Sequence, residues 1–179
     1  MTTVTDTRLD FRDATVDDIP GLVVLVTSAY RGESSRAGWT TEADLLDGNR
    51  IDPEVLRGDI QRPASRVLLA ERDGRLLGCA HIAIEDGAGY FGMFAVDPQR
   101  QAAGLGKAIL AEAERAVRHD WSLPMMRMTV IDLREDLIAW YERRGYRRTG
   151  TKKPFPAVDP RFGLPRRDDL RFEVLEKAL

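Results

Sequence analysis

The sequence predicts a mixed α/β protein, one sheet with helices on its faces. Two observations carry this expectation. Residues 66–71 (rich in Val and Leu) and the nearly all-apolar residues 76–84 flank Asp73-Gly74, a strong hairpin turn, so the middle of the chain pairs strands directly. Beyond Gly87 the pattern changes: strand 90–96 passes through a glycine loop into an amphipathic helix, and a second apolar strand follows at 125–131. At 179 residues the chain suits one domain with a substantial core.

The elements follow in order. Residues 1–7 read as a flexible tail, and residues 8–179 as a single domain. Leu9-Asp10-Phe11-Arg12 alternates as a short strand would. Asp17, Asp18 and Pro20 open a helix carrying Leu22, Val23, Leu25 and Val26. Near Tyr30 it yields to a polar loop, 31–41, with Trp39 embedded. Residues 42–46 and 53–60 read as short helical pieces. The helix 105–119 places Ile109, Leu110, Ala113, Ala116 and Val117 at helical spacing. Another helix is expected over 134–144, and strands over 146–149 and 170–174. Between those two strands lies a long loop containing Pro154, Pro156, Pro160 and Pro165.

Bulk properties narrow the function. A formal net charge of -2 disfavours a nucleic-acid binder. The basic pairs Arg143-Arg144, Arg147-Arg148 and Arg166-Arg167 read as solvated faces. Cys79 is the single cysteine, which excludes an intrachain disulfide and a cysteine-rich metal site; no metal is expected. The N-terminus lacks the apolar core of a signal peptide, and no apolar stretch reaches membrane-spanning length. The expected location is therefore cytoplasmic, with no membrane partner. Gly87-Ala88-Gly89-Tyr90-Phe91-Gly92 spells the dinucleotide fingerprint but runs into a strand rather than a helix, so it is rejected.

The richest stretch is Val96-Asp97-Pro98-Gln99-Arg100-Gln101-Ala102-Ala103-Gly104-Leu105-Gly106-Lys107. A strand enters it and a helix leaves it, the layout of an anion site built from backbone N–H groups at a helix start. Gly104 and Gly106 allow close approach, and the helix dipole favours negative charge there. A strand-to-helix turn that needs glycine for geometry alone is the competing reading.

From Pro98 onward the pattern Gln-x-x-Gly-x-Gly resembles the acetyl-CoA signature of the GNAT acyltransferase superfamily, with Gln101 opening the motif. Residues 133–146, in which Trp140-Tyr141 precede Gly145-Tyr146, resemble the family's second motif; Arg134 stands where the family usually has Asn. The resemblance covers about residues 76–146. It implies a mixed, mostly antiparallel sheet of about seven strands flanked by about four helices. It implies an acetyl-CoA-dependent N-acetyltransferase that moves the acetyl group to a primary amine of a small acceptor by direct attack in a ternary complex. Pantetheine would pair with the backbone of Phe94, Ala95 and Val96. The pyrophosphate would sit on Gln101, Ala102, Ala103, Gly104, Leu105, Gly106 and Lys107. Tyr141 matches the family's helix tyrosine and is the candidate general acid for the leaving thiolate. A homodimer is common in the family.

The general base stays open among Glu85, Asp86, Glu33, Glu42 and water. His81, mid-strand among apolar residues, reads as a hydrogen-bonded core histidine rather than a catalytic one. Acceptor contacts are expected from Arg31, Glu33, Arg36 and Trp39, which suit a small zwitterionic amine, with residues 153–156 closing the other side. A catalytically silent acyl-CoA-binding regulator, and a transferase for another acyl chain or a peptide amine, are the alternatives.

Overall fold

The computed structural model describes residues 8–30, 46–47, 51–100, 104–155, 164–165 and 169–179. In chain order the elements are β1 (Asp10–Asp13), a 3-10 turn (Val16–Asp18), α1 (Ile19–Tyr30), β2 (Leu46–Asp47), α2 (Pro53–Gln61), β3 (Ser65–Arg72), β4 (Arg75–Glu85) and β5 (Ala88–Val96). Then come α3 (Leu105–Arg115), a π-helical turn (Ala116–Asp120), β6 (Met125–Ile131), α4 (Glu135–Glu142), β7 (Arg147–Pro154), β8 (Leu164–Pro165) and β9 (Arg171–Ala178). Seven strands form one sheet in the order β1-β3-β4-β5-β6-β9-β7, and β2 pairs with β8 separately. Only β5–β6 is parallel among the pairs of the large sheet. The expected mixed, mostly antiparallel seven-stranded sheet with four helices is therefore what the chain forms.

Two apolar layers sandwich the sheet. Along β3 the side chains alternate, as the pleat requires. Val67 and Leu69 pack with Leu22, Leu25, Val26 and Ala29 of α1 and Leu56 of α2. Leu68 and Ala70 join the opposite layer, with Leu105, Ile109, Leu110 and Ala113 of α3 and Leu137, Ile138 and Tyr141 of α4. α2 starts where its sequence says it should. Asp52 Oδ1 accepts from the Glu54 and Val55 amides at 2.9 and 3.1 Å, and Pro53 occupies the first turn.

Several boundaries differ from the sequence expectations. Leu46 lies in a strand rather than a helical piece, because it finds a partner in Pro165, far along the chain. β7 continues to Pro154 and β9 to Ala178, since they pair with each other and β9 also with β6. Lys152 and Lys153, strongly polar, sit in a strand for that reason. The helix expected to reach residue 119 closes as a π turn after Arg115.

The sheet's construction is most constrained at the junction of β5 and β6. β5 pairs with β6 at two positions only, Gly89↔Met126 and Tyr90↔Arg127. Beyond them the two strands run on without a common ladder. Val117 closes over this vertex: a Cβ at Gly89 would lie 2.4 Å from Val117 Cγ1 and 3.1 Å from its Cβ. At the far edge, the Arg12 guanidinium of β1 bonds Asp18 at 2.8 Å and Glu71 at 2.8 Å, holding the 3-10 turn to β3. That contact holds the Asp18 carboxyl down to about 2.

Two outcomes follow from these contacts. Gly89→Ala should lower the urea midpoint by an amount equivalent to about 1–3 kcal/mol through overpacking against Val117; an unchanged midpoint would show that the vertex has slack. Because the folded-state value of Asp18 lies below its ordinary 3.8, its stabilisation is complete above pH 3.8 and disappears as pH falls toward about 2. After solvent screening it is on the order of 1 kcal/mol. Denaturation midpoints of Asp18→Asn should accordingly lack this part of the acid-side decline.

Candidate functional site

The parting of β5 and β6 opens a cavity of about 300 Å³. It passes through the sheet, so its walls come from both layers. On the α1 and α2 side stand Tyr30, Asp52, Asp59 and His81; on the other stand Phe91, Phe94, Arg134, Leu137 and Tyr141. Met128, Thr129, Val130 and Ile131 of β6 form the facing strand.

A bulge in β5 shapes the wall. Ala95 pairs with Cys79 and Gly92 with His81, so β5 uses one more residue than β4 over this span. Met93 takes the strain with φ of 46°, a left-handed value that costs a non-glycine residue of order 1 kcal/mol or more. A regular strand would send residues 91 and 94 to opposite faces. The inserted residue places Phe91 and Phe94 in the same layer, with ring centroids 5.3 Å apart. The bulge also redirects the backbone. Cys79 Sγ contacts the Met93 carbonyl at 3.5 Å, on the β4 side. The Phe94 carbonyl instead accepts from the Tyr30 hydroxyl of α1. Phe94, Ala95 and Val96 are buried, and past Tyr90 their strand shares no rung with β6.

Tyr141 is delivered by α4. Its ring meets Trp140 at 5.1 Å, Tyr146 at 5.8 Å, and Phe91 and Phe94 at 6.5 Å each. Tyr146 is held beneath it because its amide returns to the Tyr141 carbonyl around Gly145, where φ is 97°. Only 4% of Tyr141 is exposed, yet its hydroxyl has no hydrogen-bond partner among the described residues. Burial pushes the phenol well above its ordinary value, with the nearby Tyr30 and Tyr90 adding to the rise. Arg134 opposes them. Tyr141 thus holds its proton at neutral pH, with the Arg134 charge favouring the phenolate form against burial.

The two glycines at the start of α3 serve different ends. Gly104 adopts φ of 75° as the N-cap, and a Cβ there would meet nothing within 4 Å. Its requirement is conformational. Gly106 is buried, and a Cβ on it would lie 3.1 Å from Phe94 and 3.6 Å from Trp140. It lets the helix settle onto the aromatic pair. Gly104 supplies no side-chain cap, so the first-turn amides of Leu105, Gly106 and Lys107 have no intrahelical acceptor. Leu105 is buried and Lys107 is exposed.

Other expected positions fall elsewhere. Gln101, Ala102 and Ala103 lie outside the described residues, as do Arg31, Glu33, Arg36, Trp39 and Glu42. Glu85 and Asp86 are exposed at the β4–β5 turn and do not line the cavity. Phe155, from the segment expected to close the acceptor side, does line it. Tyr30, Asp52, Asp59, Tyr90 and Arg134 line it without having been singled out as site residues in the sequence. Tyr30 ends α1 and Asp52 caps α2, and neither belongs to a motif that would mark it in the sequence. His81 is hydrogen-bonded as a core histidine would be, but the core it faces is this cavity. Among the described residues no three His, Cys, Asp or Glu side chains gather as metal ligands would, and no helix is long and apolar enough to cross a membrane.

Comparison with known proteins agrees with this geometry. A family model described as an acetyltransferase (GNAT) domain matches residues 35–156, more than half of the chain. No curated protein matches by sequence. Similar solved structures include the ribosomal-protein-S18-alanine N-acetyltransferase from Escherichia coli, at TM-score 0.70 and 13% identity, with 96% of this chain and 94% of that one covered. Another is the PaiA N-acetyltransferase from Thermoplasma acidophilum in complex with coenzyme A, at TM-score 0.67 and 17% identity, covering 97% and 100%. A third is a ribosomal-protein-alanine N-acetyltransferase from Brucella melitensis, at TM-score 0.67 and 22% identity, covering 95% and 99%. At these identities the likeness establishes a shared fold. Together with the family match over residues 35–156, it identifies the chain as a member of the GNAT acetyltransferase family.

Proposed function

We propose that this chain is an acetyl-CoA-dependent N-acetyltransferase that transfers the acetyl group to a primary amine of a small acceptor, by direct attack while both substrates are bound. The observation that carries the reading is the cavity through the sheet, with the Tyr141 hydroxyl in its wall and without a hydrogen-bond partner among the described residues. Its volume of about 300 Å³ suits a small acceptor.

The chemistry needs three things from the protein. A thioester must be held, an amine must approach its carbonyl, and the departing sulfur must receive a proton. The unladdered backbone of Phe94, Ala95 and Val96 offers strand-like pairing to pantetheine. The uncapped amides at Gly104, Leu105, Gly106 and Lys107 suit the pyrophosphate, continuing from Gln101, Ala102 and Ala103. Acetyl-CoA would supply the activated acyl group as its thioester. Positioning of the two substrates provides much of the rate enhancement. Tyr141 donates its proton to the sulfur as the C–S bond breaks, and Arg134 steadies the phenolate until it is reprotonated.

The acceptor's charge reads differently from the sequence expectation. The described wall carries two carboxylates, Asp52 at the N-cap of α2 and Asp59 within it, and one cation, Arg134, on the Tyr141 side. This arrangement favours a cationic amine entering from α2. Arg31, Glu33, Arg36 and Trp39 remain proposed contacts for the rest of the acceptor. Two fold neighbours are named as ribosomal-protein-alanine acetyltransferases, so a peptide with an N-terminal alanine belongs in any screen.

Free-thiol release from acetyl-CoA across a panel of primary amines tests the reaction, and a panel with no acceptor-dependent release would refute it. Tyr141→Phe should reduce kcat about 100-fold while changing the Kd for coenzyme A less than about three-fold. Retained kcat would remove the general-acid role. Gly104→Val, unable to hold the N-cap conformation without strain, should weaken coenzyme A binding about ten-fold by calorimetry. An unaltered Kd would place the pyrophosphate elsewhere.

A further inference from the structure

The reaction proposed above requires a neutral amine, and the exposed Glu85 and Asp86 are outside the cavity. Resting on that reading, we infer that His81 is the general base, with Nδ1 taking the proton from the acceptor amine. The ring lines the same cavity as Tyr141, from the opposite layer of the sheet. Acid and base therefore stand on two sides of the space where the acyl group and the amine must meet.

The hydrogen bonds fix which nitrogen is available. Ser65 Oγ lies 2.7 Å from the Asp59 carbonyl oxygen and 2.8 Å from His81 Nε2. A hydroxyl has one proton, and a carbonyl can only accept, so Ser65 donates to Asp59. The bond to His81 must then run the other way, with Nε2–H donating to Ser65 Oγ. A neutral imidazole so oriented leaves its lone pair on Nδ1, for which there is no hydrogen-bond partner among the described residues. Ser65 acts as the positioning residue: it selects the tautomer.

The charged surroundings suit the role. Asp59 of α2, Arg62 just past its end, Ser65 of β3 and Tyr90 of β5 surround the ring; Tyr90 meets it edge-on at 5.8 Å. Burial lowers the imidazolium below its ordinary range, Arg62 lowers it further, and Asp59 works against both. His81 is thus neutral and ready to accept at physiological pH. The Asp59 carboxylate lies 3.9 Å from Nε2 and accepts from Arg62 Nε at 3.3 Å, which holds it beside the ring. Asp52 is less suited as the base, because one of its oxygens caps α2.

The step balances. An acceptor arriving as an ammonium gives one proton to His81 Nδ1, and its lone pair forms the new C–N bond. The C–S bond breaks with its electron pair on sulfur, which takes the Tyr141 proton. The nitrogen's second proton is lost as the amide forms and restores the phenol. His81 then returns its proton to solvent, so the products are an amide, a thiol and one proton.

The test uses two probe acceptors that differ in what the base must do. Benzylamine is an ammonium in neutral water; aniline is already neutral and sheds a proton only after attack, when that proton is strongly acidic. His81→Gln, which keeps an N–H for Ser65, should cut kcat/KM for benzylamine about 100-fold and for aniline less than about five-fold. The acid limb of the benzylamine profile should vanish with it. Arg62→Ala, a surface change that leaves the core intact, removes a positive charge and should move that limb to higher pH. Equal losses on both amines, or a limb that Arg62→Ala leaves in place, would overturn the assignment of His81 while leaving the transferase reading standing. Wild-type protein that binds coenzyme A but releases no thiol with these amines or with any member of the acceptor panel would overturn both.

Discussion

Two backbone rungs, Gly89↔Met126 and Tyr90↔Arg127, join the halves of the sheet, and the remainder of the molecule is arranged around that brevity. A buried strand normally satisfies every N–H and C=O through its neighbours, and each failure costs free energy comparable to a lost hydrogen bond. Here β5 continues from Phe91 to Val96 with no ladder to β6. The fold meets the demand in pieces. The bulge at Met93 turns one carbonyl toward Cys79, and the Tyr30 hydroxyl reaches across to cap the Phe94 carbonyl. Phe91, Phe94, Trp140, Tyr141 and Tyr146 fill the α4 side of the gap, aromatic ring against aromatic ring. What stays open is a cavity walled largely by side chains of the packed core.

The two layers give the cavity two different electrostatic walls. On the α4 side, desolvation keeps the Tyr141 phenol protonated, with Arg134 as the compensating cation. On the α2 side, desolvation keeps the His81 imidazole unprotonated, with Asp59 as the compensating anion. One physical effect, burial, disfavours the charged form in both cases. In the proposed mechanism this makes Tyr141 the proton donor on one wall and His81 the proton acceptor on the other.

Much of the architecture was legible in the sequence because it rests on local signals. The Asp73-Gly74 hairpin, the glycine turn into α3 and the Asp52-Pro53 start of α2 are each specified by a few adjacent residues. Long-range pairing was not legible. Nothing local distinguishes Lys152 and Lys153 in β7 from a polar loop; β9 supplies the partner. The site divides in the same way. Gly104 and Tyr141 stood out through motif spacing, whereas Asp59, Ser65 and His81 become a unit only when α2, β3 and β4 fold together. His81 illustrates the limit well. Its apolar flanks marked it as a core residue, and a strand pattern cannot show that the core contains a cavity.

The contact between Val117 and Gly89 has a mechanical meaning. Helix α3 and its π turn touch the sheet at both ends: Gly106 rests on Phe94 near the start, and Val117 on Gly89 at the vertex. A rod pinned at two points on one strand cannot pivot about either. The orientation of its leading peptide dipoles is thereby fixed relative to β5, the strand that carries Phe91 and Phe94 into the cavity wall, and the covalent geometry of one helix sets that relation without any side chain having to grip.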